Sequence, residues 1–75
     1  MVIKVLGPGC ANCKKLEAHV REAVKELGIE AKIEKVDDFK EIMVYGVMKL
    51  PALVVDEQVK VMGRVPSPEE IKKYL

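Results

Sequence analysis

A long amphipathic segment near the beginning of the chain constrains the fold more than any other feature. Its apolar residues recur every three or four positions, at Cys13, Leu16, Val20, Ala23, Val24 and Leu27. This spacing predicts a helix with one apolar face from about residue 10 or 11 to Leu27, ended by Gly28. Short apolar runs at 2–6 and 31–36 are predicted strands. Because a helix joins them, the two strands should be parallel with a right-handed crossover.

A short helix and a hairpin are predicted to follow the second strand. Asp37 and Asp38 are N-cap candidates for a helix over about 39–45. Residues 52–55 and 59–62 are predicted to be the two strands of the hairpin, with its turn at the acidic pair between them. An antiparallel pair of strands is therefore expected to join the parallel pair.

The last predicted helix completes an α/β fold. Ser67 is its predicted N-cap, Pro68 its first residue, and Glu70 the second half of a capping box. The order β-α-β-α-β-β-α fits one four-stranded mixed sheet flanked by three helices. At 75 residues, the chain is expected to be a single domain over 1–75.

Composition and charge exclude several classes of function. Hydrophobic residues make up 49% and charged residues 33%, which is typical of a globular protein rather than a disordered one. The 13 basic and 12 acidic residues are spread along the chain, so nucleic acid is not an expected partner. Apolar runs are far shorter than the ~20 residues of a membrane span, and the N-terminus does not have the pattern of a signal peptide. We expect a cytoplasmic monomer that does not bind a membrane.

Both cysteines lie in one motif, Cys10-Ala11-Asn12-Cys13, at the predicted start of the first helix. Unpaired backbone N–H groups and the positive end of the helix dipole favour a thiolate there. Cys13 falls on the apolar face and is expected to be partly covered, with Cys10 the exposed member. In a reducing compartment, such a pair is typically catalytic or metal-binding rather than structural.

With this motif at the head of a helix that follows a parallel strand, the chain resembles the thioredoxin superfamily. The stretch from Tyr45 to Leu53 is similar to the thioredoxin segment that leads through a cis-proline into the hairpin, and Gly63 is similar to the glycine at the hairpin's end. Chain length and the Gly-Cys-x-x-Cys form are most similar to the small, glutaredoxin-sized redox-active disulfide proteins of archaea and bacteria. The resemblance covers almost the whole chain.

The resemblance implies a thioredoxin-like fold and a thiol–disulfide oxidoreductase that needs no cofactor. Cys10 would attack a substrate disulfide, and Cys13 would resolve the mixed disulfide by forming a Cys10–Cys13 disulfide. Pro51 would be cis and packed against that disulfide, and Gly9, Leu50 and Pro51 would bind an extended substrate strand. The implied partners are a disulfide-containing protein substrate and a thioredoxin reductase-like recharging enzyme.

The chain departs from the thioredoxin pattern in ways that affect the cysteines. Lys4 occupies the position of a buried carboxylate six residues before the first cysteine, and Gly9 replaces a tryptophan. Ala11 and Asn12 replace Gly-Pro between the cysteines, and with Lys14 they are the residues expected to tune the thiolate. Lys14 either adds Coulomb attraction or is an ordinary solvated helix residue.

A metal-binding module is the alternative function. Heavy-metal-associated domains also begin with a strand, a Gly-x-x-Cys-x-x-Cys motif and a helix, and two thiolates suit Cu(I). Those domains run β-α-β-β-α-β, however, which differs from the order predicted here.

Four residues outside the motif are of types that bind soft metals or assist a thiolate, but an ordinary structural role is expected for each. His19 is expected to be a solvated surface residue, because the helical phase turns it away from the cysteines. Met43, Met48 and Met62 are expected to fill the core rather than bind a soft metal. Met48, shortly before Pro51, is the one that is also a candidate to line a binding groove.

Overall fold

The order of secondary-structure elements agrees with the one predicted from the sequence. A computed structural model of the chain describes residues 1–7, 9 and 11–75. Within these residues the strands are β1 Val2–Leu6, β2 Lys32–Val36, β3 Ala52–Val55 and β4 Gln58–Met62. The helices are α1 Ala11–Leu27, α2 Phe39–Val44 and α3 Pro68–Lys72. The predicted α/β fold, with a four-stranded mixed sheet and three helices, is confirmed.

With the strand order β2-β1-β3-β4, four loops meet at one edge of the sheet: those after β1, β2 and β4 and the one before β3. Strands β1 and β2 are parallel, whereas β3 pairs antiparallel with both β1 and β4. Leu6 at the end of β1 is therefore paired with both Val36 and Ala52. Beyond this pairing, the Gly7 N–H donates to the Val36 carbonyl at 2.9 Å. We call this side of the sheet, marked by Leu6, Val36 and Ala52, the cysteine edge, because the cysteine motif follows it.

Each face of the sheet has its own core. Helices α1 and α3 cover one face, where Ile3 and Val5 of β1 pack against Leu16 and Ile71. Helix α2 covers part of the other face through Ile42, which packs in the cluster of Leu6 and Val54.

Leu27 was expected in the core, but 42% of its surface is exposed. The 17 residues of α1 extend about 25 Å, longer than the roughly 17 Å of a five-residue strand, so the last turn passes the end of the sheet.

The helix caps were predicted correctly, with one exception. The side chain of Asp38 accepts from the Lys40 N–H at 2.9 Å, and Ser67 Oγ accepts from the Glu70 N–H at 3.2 Å. The capping box is wrong in its second half, because the Glu70 carboxylate pairs with the Arg64 guanidinium and accepts from the Tyr74 hydroxyl. A guanidinium offers a stronger, charge-assisted hydrogen bond than a backbone N–H.

Lys4 belongs to a polar triangle at the end of the sheet opposite the cysteine edge. Its ammonium donates to the Tyr45 hydroxyl at 2.7 Å and to Glu57 Oε1 at 3.0 Å, while Tyr45 donates to Glu57 Oε2 at 2.9 Å. These bonds, the one to Tyr45 foremost, hold the pKa of Lys4 above its usual range. Glu57 lies in the turn between β3 and β4, where its φ of 69° is that of a tight hairpin turn. The lysine at the family's carboxylate position is therefore directed toward this turn.

Acid is expected to weaken the fold partly through Glu57. Hydrogen bonds from Lys4 and Tyr45 hold the pKa of Glu57 below its usual range. The folded chain then binds fewer protons than the unfolded chain, so this contribution is present above pH ~4.3 and is lost as the pH falls through the lowered pKa. In urea unfolding, Glu57→Gln should lower the midpoint at pH 7, and the difference from the wild type should shrink at pH 3. Glu30→Gln, at an exposed glutamate, is the control and should show no such change with pH; a Glu57→Gln effect equal at both pH values would contradict the prediction.

Candidate functional site

The cysteine edge brings Cys13, Gly7 and Pro51 together. Cys13 lies in the first turn of α1, with only 2% of its surface exposed. A Cβ atom on Gly7 would overlap the Cys13 sulfur, and it would lie 3.9 Å from the Pro51 Cα. The strand end, the helix start and the proline segment therefore meet at the sulfur of Cys13. Cys10 and Pro8 lie outside the described residues, and with them the predicted exposed thiolate and the Cys10–Cys13 disulfide.

Gly7 is a site residue that the sequence reasoning missed. No role was predicted for it, whereas its missing side chain lets the sulfur of Cys13 approach the backbone at the end of β1. Its φ is not among the positive values found at Gly9, Gly28, Gly46 and Gly63, so the requirement for glycine there is steric. A glycine directly after a strand and ahead of a cysteine motif was the available signal, because glycine marks close backbone approach.

The segment before β3 is attached to the end of the hairpin. The Leu50–Pro51 peptide bond is cis, and the Pro51 carbonyl accepts from the Gly63 N–H at 2.9 Å. Gly63 has a φ of 80°, and a Cβ on it would lie 3.0 Å from the Lys49 Cβ. Leu50 is half-buried and packs against the core beneath α2. These contacts fix the proline segment beside Cys13.

The remaining predicted site residues lie at the same edge and are exposed. Gly9 has a φ of 87°, and apart from its two chain neighbours no described residue has an atom within 4 Å of the position of a Cβ. Ala11, Asn12 and Lys14 are exposed in the first turn of α1. Side chains at these positions are therefore accessible to a molecule that approaches the cysteine edge.

Two expectations about residues outside the motif are corrected by the structure. His19 is half-buried rather than fully solvated, and its Nδ1 hydrogen-bonds to the Pro66 carbonyl at 2.9 Å. Met43, Met48 and Met62 do not fill the core, since 72%, 89% and 49% of their surfaces are exposed. Helix α2 has six residues and turns Ile42 toward the sheet, which leaves Met43 on the outside.

A groove of about 630 Å³ lies between the strands and α2, reaches Val36 at the cysteine edge, and is not lined by Cys13 or Pro51. Lys4, Lys35 and Glu34 line it from the strands, and Val44 lines it from the helix. Among the residues that the structure describes, no three His, Cys, Asp and Glu side chains are grouped to hold a metal ion. In residues 1–7, 9 and 11–75, every helix is too short or too polar for a membrane span.

Comparisons with known proteins cover the whole chain. Residues 1–75 match a family model described as a thioredoxin domain. A thioredoxin of Methanothermobacter thermautotrophicus is 55% identical over 75 residues, which are all of this chain and 97% of the relative. A thioredoxin of Methanocaldococcus jannaschii is 41% identical over 75 residues, covering all of this chain and 86% of the relative. Both the cysteine motif and the proline segment lie within these matches.

Proposed function

Because the chain belongs to the thioredoxin family, a family of thiol–disulfide oxidoreductases, we propose that Cys10 is its attacking cysteine and Cys13 its resolving cysteine. The observation that carries this proposal is the burial of Cys13 against Gly7 and beside Pro51. A substrate disulfide needs access to the thiolate that attacks it. Cys13 is too deeply covered for that step but is placed for attack from within the protein.

The proposed reaction proceeds in two exchanges. The Cys10 thiolate attacks one sulfur of the substrate disulfide, an S–S bond forms between Cys10 and that sulfur, and the other substrate sulfur leaves as a thiolate. Cys13 loses its proton to solvent and attacks the Cys10 sulfur, which releases the second substrate sulfur as a thiolate. The cysteine pair loses two electrons and the substrate disulfide gains them.

The proposed binding residues surround this reaction. Gly9, Leu50 and Pro51 accommodate an extended stretch of the substrate, because strand-like pairing with exposed backbone is a common way to hold a peptide. The position of the proline segment against the hairpin end and beside Cys13 supports this role. Ala11, Asn12 and Lys14 tune the thiolate from the first turn of α1.

The proposed biological unit is a cytoplasmic monomer formed by one domain over residues 1–75. Its partners are a disulfide-containing protein and a thioredoxin reductase-like enzyme that restores the dithiol. The alternative, a Cu(I) carrier, gains no support from the comparisons, which are with thioredoxins. The observed element order also differs from that of heavy-metal-associated domains.

The first test is the midpoint potential of the Cys10–Cys13 pair in metal-free protein. Titration in a thiol buffer, read by alkylation and mass, should give a reversible two-electron couple. A value near −270 mV, about that of thioredoxin, would assign a reducing role, and one near −120 mV an oxidising role. If no intramolecular disulfide forms and the dithiol instead retains Cu(I), the proposed function is wrong and the carrier is the better explanation.

A further inference from the structure

Strand β2 is the outermost strand on one side of the sheet, next to β1. No strand in the described part of the chain pairs with its outer side. The Lys32 N–H donates toward β1, to the Met1 carbonyl, at 2.9 Å. Because backbone groups alternate in direction along a strand, those of Ile33 and Lys35 point away from β1. The outer side of β2 therefore presents backbone donors and acceptors to a further strand.

Two opposite charges lie on one face of β2. Val36 packs in the core beneath α2, whereas Ile33 packs against the core beneath α1. Because side chains alternate along a strand, Lys32 and Glu34 share the α2 face with Val36. Lys32 Nζ lies 3.2 Å from Glu34 Oε1, and 72% and 37% of the two side chains are exposed. A strand that pairs with β2 therefore meets a cation and an anion two residues apart.

An antiparallel second copy of β2 matches this pattern when Ile33 lies at the centre of the pairing. The outward backbone groups of Ile33 in the two copies then meet as a hydrogen-bonded pair. Lys32 lies opposite Glu34 of the second copy, at a non-hydrogen-bonded pair, where side chains are closest. Each carboxylate thus has one ammonium opposite it and another two residues along its own strand. Registers centred on Lys32, Glu34 or Lys35 instead place like charges directly opposite each other, which is destabilising.

We propose that two copies of the chain associate through the outer sides of their β2 strands, in the antiparallel register centred on Ile33. Lysines alone would repel a second copy, which is how many outer strands prevent such pairing, whereas Lys32 and Glu34 complement one. A five-residue strand offers less contact than the ~800 Å² that each partner contributes to a stable complex. The association is therefore weak, and the monomer is the species in dilute solution. Because the paired strands are antiparallel, the two cysteine edges lie at opposite ends of the joined sheet and both motifs stay open.

The test reverses the two charges and measures association by sedimentation velocity, with a reductant present to prevent disulfides between copies. From about 10 µM to about 1 mM, the wild type should shift from monomer toward dimer. Lys32→Glu and Glu34→Lys should each raise the Kd about tenfold or more, because every cross-strand pair then joins like charges. An equimolar mixture of these two variants should associate more tightly than either alone, because opposite charges face each other again. Lys60→Glu is the control, since it makes the same charge change at an exposed lysine of β4, on the other side of the sheet.

Several outcomes would overturn the inference. A wild type that stays monomeric at about 1 mM would show that β2 does not pair, and association unchanged in both variants would place the contact elsewhere. An equal loss in Lys60→Glu would show that net charge rather than β2 is responsible. A mixture that associates no better than its components, with both folded by circular dichroism, would contradict the register. The inference does not depend on the cysteine chemistry, so a protein that dimerises but forms no intramolecular disulfide would contradict only the proposed function.

Discussion

Cys13→Ser is expected to accumulate a covalent mixed disulfide with its substrate, whereas Cys10→Ser is expected to lose all turnover. With serine at position 13, the attack by Cys10 still takes place, but no second thiolate is present to release the substrate. Without Cys10, the remaining cysteine is buried at 2% exposure and a substrate disulfide does not reach it. Incubation with an oxidised protein substrate, followed by a non-reducing gel and mass measurement, distinguishes the two variants.

The two variants control for each other, because each keeps one thiol in the same motif. The adduct of Cys13→Ser should disappear on addition of dithiothreitol and should have the mass of one protein plus one substrate. If Cys10→Ser forms the adduct and Cys13→Ser does not, the assigned roles are reversed. If both variants turn over substrate, the exchange mechanism is wrong for this pair. Circular dichroism of each variant shows whether the fold is retained.

Local patterns predicted the elements of this fold well, because the signals are short in range. Strand β3 begins and ends where the apolar run 52–55 does, and α1 ends at Leu27 before Gly28. The caps at Asp38 and Ser67 depend on a side chain that reaches a backbone N–H two or three residues away. Such contacts are visible in the sequence because both partners lie within one turn.

Contacts between distant residues account for the errors. The Pro66 carbonyl that His19 bonds is 47 residues away, and no helical phase indicates such a partner. The expectation for Met43 failed because apolar spacing does not reveal how wide a face a six-residue helix buries. The hydroxyl and carboxylate that bond Lys4 come from Tyr45 and Glu57, at separations of 41 and 53 residues.

The candidate site was predictable in part. The cysteines and Pro51 were identified by their resemblance to a family, and the burial of Cys13 followed from helical periodicity. The role of Gly7 was not predicted, because it depends on the position that the Cys13 sulfur takes once α1 packs on the sheet. A spacing pattern records which residues share a face, but it does not show which backbone atom lies opposite a given sulfur.

Gly7→Ala is expected to destabilise the protein and to slow the resolving step. The added methyl group would overlap the sulfur of Cys13 and crowd Pro51, and overpacking of this kind costs about 1–3 kcal/mol. Cys13 must then shift from its place beside the motif, so the mixed disulfide should persist longer than in the wild type. Urea unfolding measures the loss of stability, and acid-quenched single turnovers measure the lifetime of the mixed disulfide.

Gly28→Ala separates the two effects. Gly28 has a φ of 64°, and a Cβ there meets no described atom within 4 Å apart from those of its chain neighbours, so alanine should cost about 1–2 kcal/mol through backbone strain alone. It lies beyond the far end of α1, where it has no contact with Cys13. Both variants should therefore lose stability, but only Gly7→Ala should prolong the mixed disulfide. A folded Gly7→Ala protein that resolves the mixed disulfide at the wild-type rate would show that Gly7 is needed for packing and does not position Cys13.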